Sequence, residues 1–307
     1  MKHTVIIPLY NKEKYIYDTI RSLAFQEKKP SQIIVVDDCS NDLSLICLKE
    51  ALSFFAPQFL QTAIQIVELD ENTGPGNARN IGIQLATGEL ISFLDADDCY
   101  TPTCIREVGA IMEEGNLDVV VLGILLNPSN YYLPNIKSFA KEMQFLSNHL
   151  YVIPNILHTV SSPDFIMGVG SNVVIRRKYL HELRYEAGVS LNEGIDFWYR
   201  VLKNMTEPIY VGLLNKACIE VREVEGSLSR TSYINWRDLE IPISIKRYQK
   251  SSNRYDQHLM GMLSQRWLEH AMERLPSWRQ KGLFVFHHAP VLLKNYYYFK
   301  RRKFIKR

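Results

Sequence analysis

"GELISFLDADDCY", residues 88–100, drives an apolar run, Leu90 to Leu94, straight into three carboxylates, Asp95, Asp97 and Asp98. The run has the length and residue types of a buried strand. Like charges this close repel unless something positive lies between them. A strand that ends in crowded acid implies a rim where cationic chemistry is handled. Upstream, the same grammar repeats. "TVIIPLY" (4–10) is a β-branched strand feeding a helix over 12–26, where Ile16, Ile20, Leu23 and Ala24 recur at helical spacing. "QIIVVDDCS" (32–40) is a second strand, followed by a helix over 41–56, and "AIQIVELDEN" (63–72) is a third, followed by the turn and helix "GPGNARNIGIQLA" (74–86). Strands joined by helices make βαβ crossovers and a largely parallel sheet covered on both faces. Ligands of such sheets bind beyond the strands' carboxyl ends, which here carry Tyr10, Asn11, Asp37, Asp38, Asp95 and Asp97.

Beyond residue 100 the pattern loosens. A helix over 102–115 and a strand over 117–126 extend the sheet, and 127–165 reads as irregular, with some helix in "IKSFAKEMQFLSNHL". Strands are expected over 170–177 and 208–222, with an amphipathic helix over 193–204 between them. From about 232 the chain reads as helical. The expected division is a catalytic domain over 1–230, with a nucleotide-binding half (1–100) and an acceptor half (101–230), and a helical C-terminal extension over 231–307 with a basic tail.

Composition sets the bounds. At 307 residues, 46% hydrophobic and 22% charged, the chain is globular material and not a disordered one. The five cysteines are scattered and lack the paired spacing of a zinc site or a disulfide framework. "MKHTVIIPLYN" enters a strand with no signal-peptide core, and "VVVLGILL" (119–126) is too short to span a bilayer. The expected location is cytoplasmic, or peripheral at the inner face of a membrane. The net charge of +3 hides an uneven distribution, since residues 294–307 hold seven Lys or Arg and no acid. Aromatics among these cations suit an anionic membrane surface. RNA contact or a solvated helix end would use the same residue types; the membrane is the reading taken, and no nucleic-acid partner is expected.

Several enzyme classes drop out. "GPGNARNIG" opens like a dinucleotide fingerprint, but Arg79 stands where the third Gly belongs. The chain has no G-x-x-x-x-G-K-[ST] phosphate loop and no G-x-S-x-G nucleophile elbow. Acid chemistry aimed at a cation remains: at a turn, Asp95 and Asp97 can both approach a hard divalent ion that brings phosphate with it. Alternatively these acids cap the helix that begins near Pro102.

"VIIPLYNKEKYI", "VVDDCSND", "NTGPGNARNIGI" and "ELISFLDADD", in this order and spacing, resemble the N-terminal half of family 2 inverting glycosyltransferases. The likeness is close over residues 3–100 and extends to about 230. It implies an α/β architecture: a single Rossmann-like nucleotide-sugar-binding domain with a mixed, mostly parallel sheet, the glycosyltransferase A fold. It implies a metal-dependent hexosyltransferase-type activity that moves a sugar from a nucleoside diphosphate donor, most often UDP-linked, to a hydroxyl of a glycan or lipid-linked glycan in polysaccharide biosynthesis. It also implies site roles. Pro8, Tyr10 and Asn11 line the base pocket; Asp38, with Asp37 beside it, accepts from base or ribose; Arg79 lies against the nucleotide. Asp95 binds ribose or metal and Asp97 is the principal ligand of Mg²⁺ or Mn²⁺. The plain readings stand beside these: Pro8 ends a strand, Tyr10 packs on the rim, Asp37 caps a helix, and Arg79 pairs with Asp38 or Glu71.

The chain departs from the family at three places. Cys39 stands where "DDGS" has Gly, which suggests a slightly different turn. In "NEGIDFWYR", Gly194 holds the place of the Asp that takes the acceptor proton, leaving Glu193 as base and Asp196 as its alternate. Val224 stands where a metal- or diphosphate-holding His is often found, so Arg222, Ser227, Ser229 and Arg230 are the cations and hydroxyls left to meet phosphate. A non-catalytic nucleotide-sugar-binding module of the same fold is the alternative function; a nucleotidyltransferase, releasing pyrophosphate, is the third.

Overall fold

A computed structural model describes the chain except residues 166, 169–170, 181, 189–191, 206–208, 225–232 and 306–307. Among the described residues its centre is an eleven-stranded mixed sheet in the order β3-β2-β1-β4-β10-β6-β11-β9-β8, with β5 (Cys99–Tyr100) on β11 and β7 (Tyr131–Leu133) on β6. The first four strands, β1 (His3–Leu9), β2 (Gln32–Asp37), β3 (Ala63–Glu68) and β4 (Leu90–Phe93), are mutually parallel as far as they pair, with Ile6 opposite both Ile34 and Phe93. β1 lies between two neighbours and every one of its residues is buried, which is why it reads as a continuous apolar run. β3 is the edge and is largely exposed.

Helices α1 (Ile16–Ala24), α2 (Ser44–Phe54), α3 (Pro75–Leu85) and α4 (Cys104–Glu114) form the crossovers. Two cores result, one on each face: Val5, Ile7 and Val35 pack with Ile20 and Leu48, while Ile6, Ile34 and Phe93 pack with Ala78, Trp198 and Leu202. The alternation of β1 residues between the two cores follows from the period-2 geometry of a strand.

The second half breaks the parallel pattern. β10 (Val173–Arg176) runs antiparallel between β4 and β6 (Val119–Asn127), and β11 (Val211–Arg222) then pairs parallel to β6. The helix expected within 136–150 is absent. Two short 3₁₀ turns, 136–138 and 140–142, lead instead into a hairpin of β8 (Gln144–Ser147) and β9 (Leu150–Val152). Its two-residue turn, Asn148-His149, has φ of 41° and 67°. Positive φ at both positions is the hairpin geometry that matches strand twist, and Asn tolerates it.

After residue 240, α7 (Ile243–Tyr248), α8 (Arg254–Arg274) and α9 (Trp278–Ile305) make up the C-terminal region. Ile245, Leu259, Met262 and Leu263 join the core shared with Phe93 and Trp198, so the extension is seated on the sheet's helical layer. The expected boundary at 230/231 lies outside the described residues.

Candidate functional site

β4 stops at Phe93, and Asp98 N–H donates to Asp95 O at 2.9 Å, so the three carboxylates lie in a turn and not along a strand. Each finds a different partner. Asp97 Oδ2 accepts from Lys12 Nζ at 2.6 Å, and Asp95 Oδ1 from Arg79 Nη2 at 2.8 Å. Asp98 is buried; its Oδ2 accepts from Ser171 Oγ at 2.8 Å and its Oδ1 from the Arg222 backbone N–H at 3.3 Å. Burial first, then the charges of Asp95 and Asp97, push the Asp98 carboxyl well above the usual carboxylate range. The chain's own cations therefore answer two of the three acids, neutral hydrogen-bond donors meet the third, and among the described residues none of the three caps α4.

Arg79 is the hub. It projects from α3, is 7% exposed, and its Nη1 donates to Glu193 Oε1 at 2.9 Å while Nη2 holds Asp95. Neither Asp38 nor Glu71 is its partner, contrary to the plain reading of the sequence. Its guanidinium lies 5.4 Å from the Tyr185 ring centroid and 6.0 Å from that of Phe93. Burial works against its charge, but Asp95, Tyr185 and Glu193 outweigh that and hold it ionised. Burial raises the Glu193 carboxyl above its ordinary value; Arg79 opposes the shift and Asp95 adds to it. Glu193 is the first residue of α6 (Glu193–Asn204), the other candidate base, Asp196, being one turn further on.

Asp196 is not brought to the same place. Its carboxylate is 1% exposed, with Oδ2 on Arg200 Nε at 2.8 Å and Oδ1 on Ser244 Oγ at 2.9 Å and Arg247 Nε at 3.3 Å. It ties α6 to α7. Gly194 has a steric cause: a Cβ there would meet Gly168 O at 2.2 Å. The backbone of Gly168, at φ 82°, passes over the start of α6, and no side chain fits at position 194. Gly76 yields space on the other side, since a Cβ there would lie 2.9 Å from Glu193 Oε2 and 3.0 Å from Tyr185 Cβ.

The base-side residues form a lacework of loops. Tyr10 is 41% exposed past the end of β1, in which Pro8 is buried opposite Val36. Asn11, in the left-handed region at φ 51°, accepts from Asn41 N–H at 2.9 Å and donates its own N–H to Ser40 Oγ. Asp37 accepts from Ser40 Oγ at 2.5 Å, closing a turn, and does not cap α2, whose N-cap is Leu43; Asp42 accepts the N–H of Ser44, the first residue of that helix. Asp38 clamps the loop before α3: its oxygens accept from Thr73 N–H, Thr73 Oγ1 and Gly74 N–H at 2.8–3.0 Å. Three of its four lone-pair directions are thereby used within the chain. Cys39 has φ 60°, in the left-handed region that favours Gly.

Lys12, Tyr185 and Ser171 escaped the sequence reading, although Lys12 directly follows the rim residue Asn11. Arg222 Nη2 holds Asp18 at 2.8 Å, and its side chain lines a cavity of about 620 Å³ with Lys14, Tyr15, Asn127, Glu223 and Val224. Ser227, Ser229 and Arg230 lie outside the described residues. No group of three or more His, Cys, Asp or Glu among the described residues could hold a metal by itself. Asp95 and Asp97 are hard oxygen donors on one turn, a donor set that fits a Mg²⁺-type ion whose remaining ligands come from bound phosphates.

This rim, on this sheet, is the setting of a nucleotide-sugar enzyme's fold. The pattern of glycosyl transferase family 2 matches residues 4–184, and the chain belongs to that family. It is 34% identical over 125 residues to the poly(ribitol-phosphate) beta-N-acetylglucosaminyltransferase TarS of Staphylococcus aureus, covering 40% of this chain and 21% of that one. It is 36% identical over 126 residues to the succinoglycan biosynthesis protein ExoO of Rhizobium meliloti, covering 39% and 34%. The chain thus spans about a fifth to a third of these relatives' length. Among solved structures, S. aureus TarS 1–349 in complex with UDP-GlcNAc superposes with a TM-score of 0.62 at 22% identity, over 96% of this chain and 79% of that one. The mannosyltransferase PcManGT from Pyrobaculum calidifontis, in complex with GDP-Man and Mn²⁺, gives 0.51 at 17%, over 98% and 73%. These likenesses define the fold: a mostly parallel mixed sheet of the glycosyltransferase A type with a helical C-terminal region.

Proposed function

We propose that this chain is an inverting glycosyltransferase of hexosyltransferase type, moving a sugar from a UDP-sugar to a hydroxyl of a glycan or lipid-linked glycan in polysaccharide biosynthesis. The observation that carries the reading is the Asp95–Arg79–Glu193 chain, which links the acid turn after β4 to the start of α6. Direct displacement needs a carboxylate facing the acceptor hydroxyl and a separate means of meeting the diphosphate that leaves. Glu193 takes the first part: its raised proton affinity suits it to receive the hydroxyl proton from the attacking oxygen, and Arg79 fixes its orientation. Asp97 with Asp95 would hold Mg²⁺ or Mn²⁺, which supplies positive charge to the diphosphate. Lys12, which holds Asp97 at 2.6 Å, would be the cation beside that diphosphate, able to meet a phosphate oxygen by a charge-assisted hydrogen bond. Pro8, Tyr10 and Asn11 face the base, and Asp37 and Asp38 hold the loops that shape its pocket. The acceptor enters from the 101–230 half, with the 231–307 extension behind it. Support for a uridine donor is the likeness to TarS, whose structure holds UDP-GlcNAc.

Gly194 favours a second reading, a nucleotide-sugar-binding module without turnover. The two part on one measurement: the chain is incubated with UDP-sugars and Mn²⁺ and released UDP is followed. Release that is lost in Asp97→Asn and in Glu193→Gln is expected. Binding of UDP-sugar with no release from any donor would establish the module instead, and pyrophosphate released from UTP and a sugar 1-phosphate in a parallel incubation would point to nucleotidyl transfer.

No helix among the described residues is long and apolar enough to cross a membrane. A cytoplasmic protein with a peripheral contact through its basic tail is the location this reading takes.

A further inference from the structure

The helix α9 is apolar on two opposite faces. One packs inward: Phe284, His288 and Asn295 are buried, with Phe284 4.7 Å from the Trp267 ring and Asn295 Nδ2 donating to Ser264 Oγ at 2.8 Å. At about 100° per residue, Phe286, Pro290, Leu293 and Tyr297 fall about 180° away from that face. They point to solvent: Phe286 is 83% exposed, Leu293 70% and Tyr297 62%. A helix docked by one face normally carries polar residues on the other. Here the outer face carries a large apolar stripe, which in a soluble protein marks an interaction surface.

The charge around the stripe selects the partner. From 276 to 307 the chain has no Asp or Glu, and Arg279 and Lys300 lie on the outer face at its two ends. Trp278, 84% exposed, and Tyr296, 54% exposed, flank it, each with a lysine ammonium over its ring, Lys281 at 5.2 Å and Lys300 at 5.1 Å. Two copies of this helix set face to face would oppose cation to cation. An anionic lipid surface meets both demands, apolar contact below and negative charge around, with Trp and Tyr at the headgroup level they favour.

We infer that the outer face of α9, through Phe286, Leu293 and Tyr297, is an interfacial membrane-binding surface specific for anionic lipid. This goes beyond the basic tail, because the contact is an apolar face held rigidly against the protein body. It does not rest on the transferase reading.

The test uses the full chain and flotation with vesicles of phosphatidylcholine alone or with phosphatidylglycerol. Wild type should float with the anionic vesicles and stay behind with the neutral ones. The double variant Phe286→Ser/Leu293→Ser keeps every cation, and it should lose binding by about tenfold or more, with an unchanged melting temperature and unchanged UDP-sugar binding. Equal flotation of the double variant would mean that the tail binds by charge alone, and the inference fails. It fails equally if wild type ignores both vesicles, or if light scattering finds a dimer that the double variant dissolves, since the face then belongs to a second copy. Should the double variant lower the melting temperature, Phe286→Asn alone, scored by the same flotation, decides the question.

Discussion

Glu193 and Asp196 lie three residues apart on one helix, and their surroundings could hardly differ more. Glu193 has a single guanidinium, Arg79, borrowed from α3 and shared with Asp95. Asp196 has Arg200, Arg247 and the Ser244 hydroxyl, and both its oxygens are engaged. One carboxylate has its second oxygen, Oε2, beside Gly76, where only the lack of a Cβ leaves it room. The other is a fastening between α6 and α7. The difference teaches that a carboxylate's task is set by how many of its lone pairs the fold has already used, and not by its place in a motif.

The comparison can be broken most directly at Glu193. Glu193→Gln is expected to lower UDP release and transfer by about 10²–10⁴ with the melting temperature held, since a general base contributes on that order. The sign of the pH dependence follows from the raised proton affinity. A base must be deprotonated, so activity should fall on acidification through a pKa above the ordinary Glu value, and a rate profile flat down to the normal carboxylate range would contradict this assignment. Asp196→Ala reverses the pattern: a loss of about 3 kcal/mol in denaturant unfolding, because Arg200 is left without a carboxylate, Arg247 keeps only Glu186 and the tie to Ser244 is cut. A stable Asp196→Ala protein with no turnover would instead make Asp196 the base.

Smaller effects sharpen the contrast. Gly194→Ala forces the α6 start off Gly168 and should cost about 1–3 kcal/mol in the same unfolding measurement. If it folds unperturbed, sterics do not explain the missing Asp. Lys12→Met removes the competitor for Asp97 and should tighten Mn²⁺ binding to the nucleotide-free protein by roughly fivefold, the equivalent of about 1 kcal/mol. Electron paramagnetic resonance of free Mn²⁺ reads it; equal or weaker binding refutes the competition.

The first half of the molecule was legible because its signals are local. The all-apolar β1, the helical spacing of Ile16, Ile20 and Leu23, and the acids after β4 each declare themselves within ten residues. The hairpin of β8 and β9 was not, since Phe139 and Met143 happen to fall at helical spacing while the turn residues Asn148-His149 went unread as a hairpin signal. The site divides in the same way. Asp95, Asp97, Arg79 and Glu193 were visible as residue types at spacings, but their pairings were not, because Lys12 meets Asp97 across 85 residues and Arg79 meets Glu193 across 114. Such contacts are products of the sheet order, β1 beside β4 and α6 beside α3. Gly194 was noticed as a departure, but its cause lies in the backbone of Gly168, which no pattern around 194 contains.

That crossing of two glycines also constrains what this sequence can become. A short acid cannot return to position 194 by a single substitution, because the carbonyl of residue 168 already fills the volume, and residue 168 cannot gain a side chain without striking Trp198. Each added Cβ meets the other residue's carbonyl oxygen, at 2.2 Å and 2.9 Å, so substituting both relieves neither clash and a side chain at either position requires the two backbones to part.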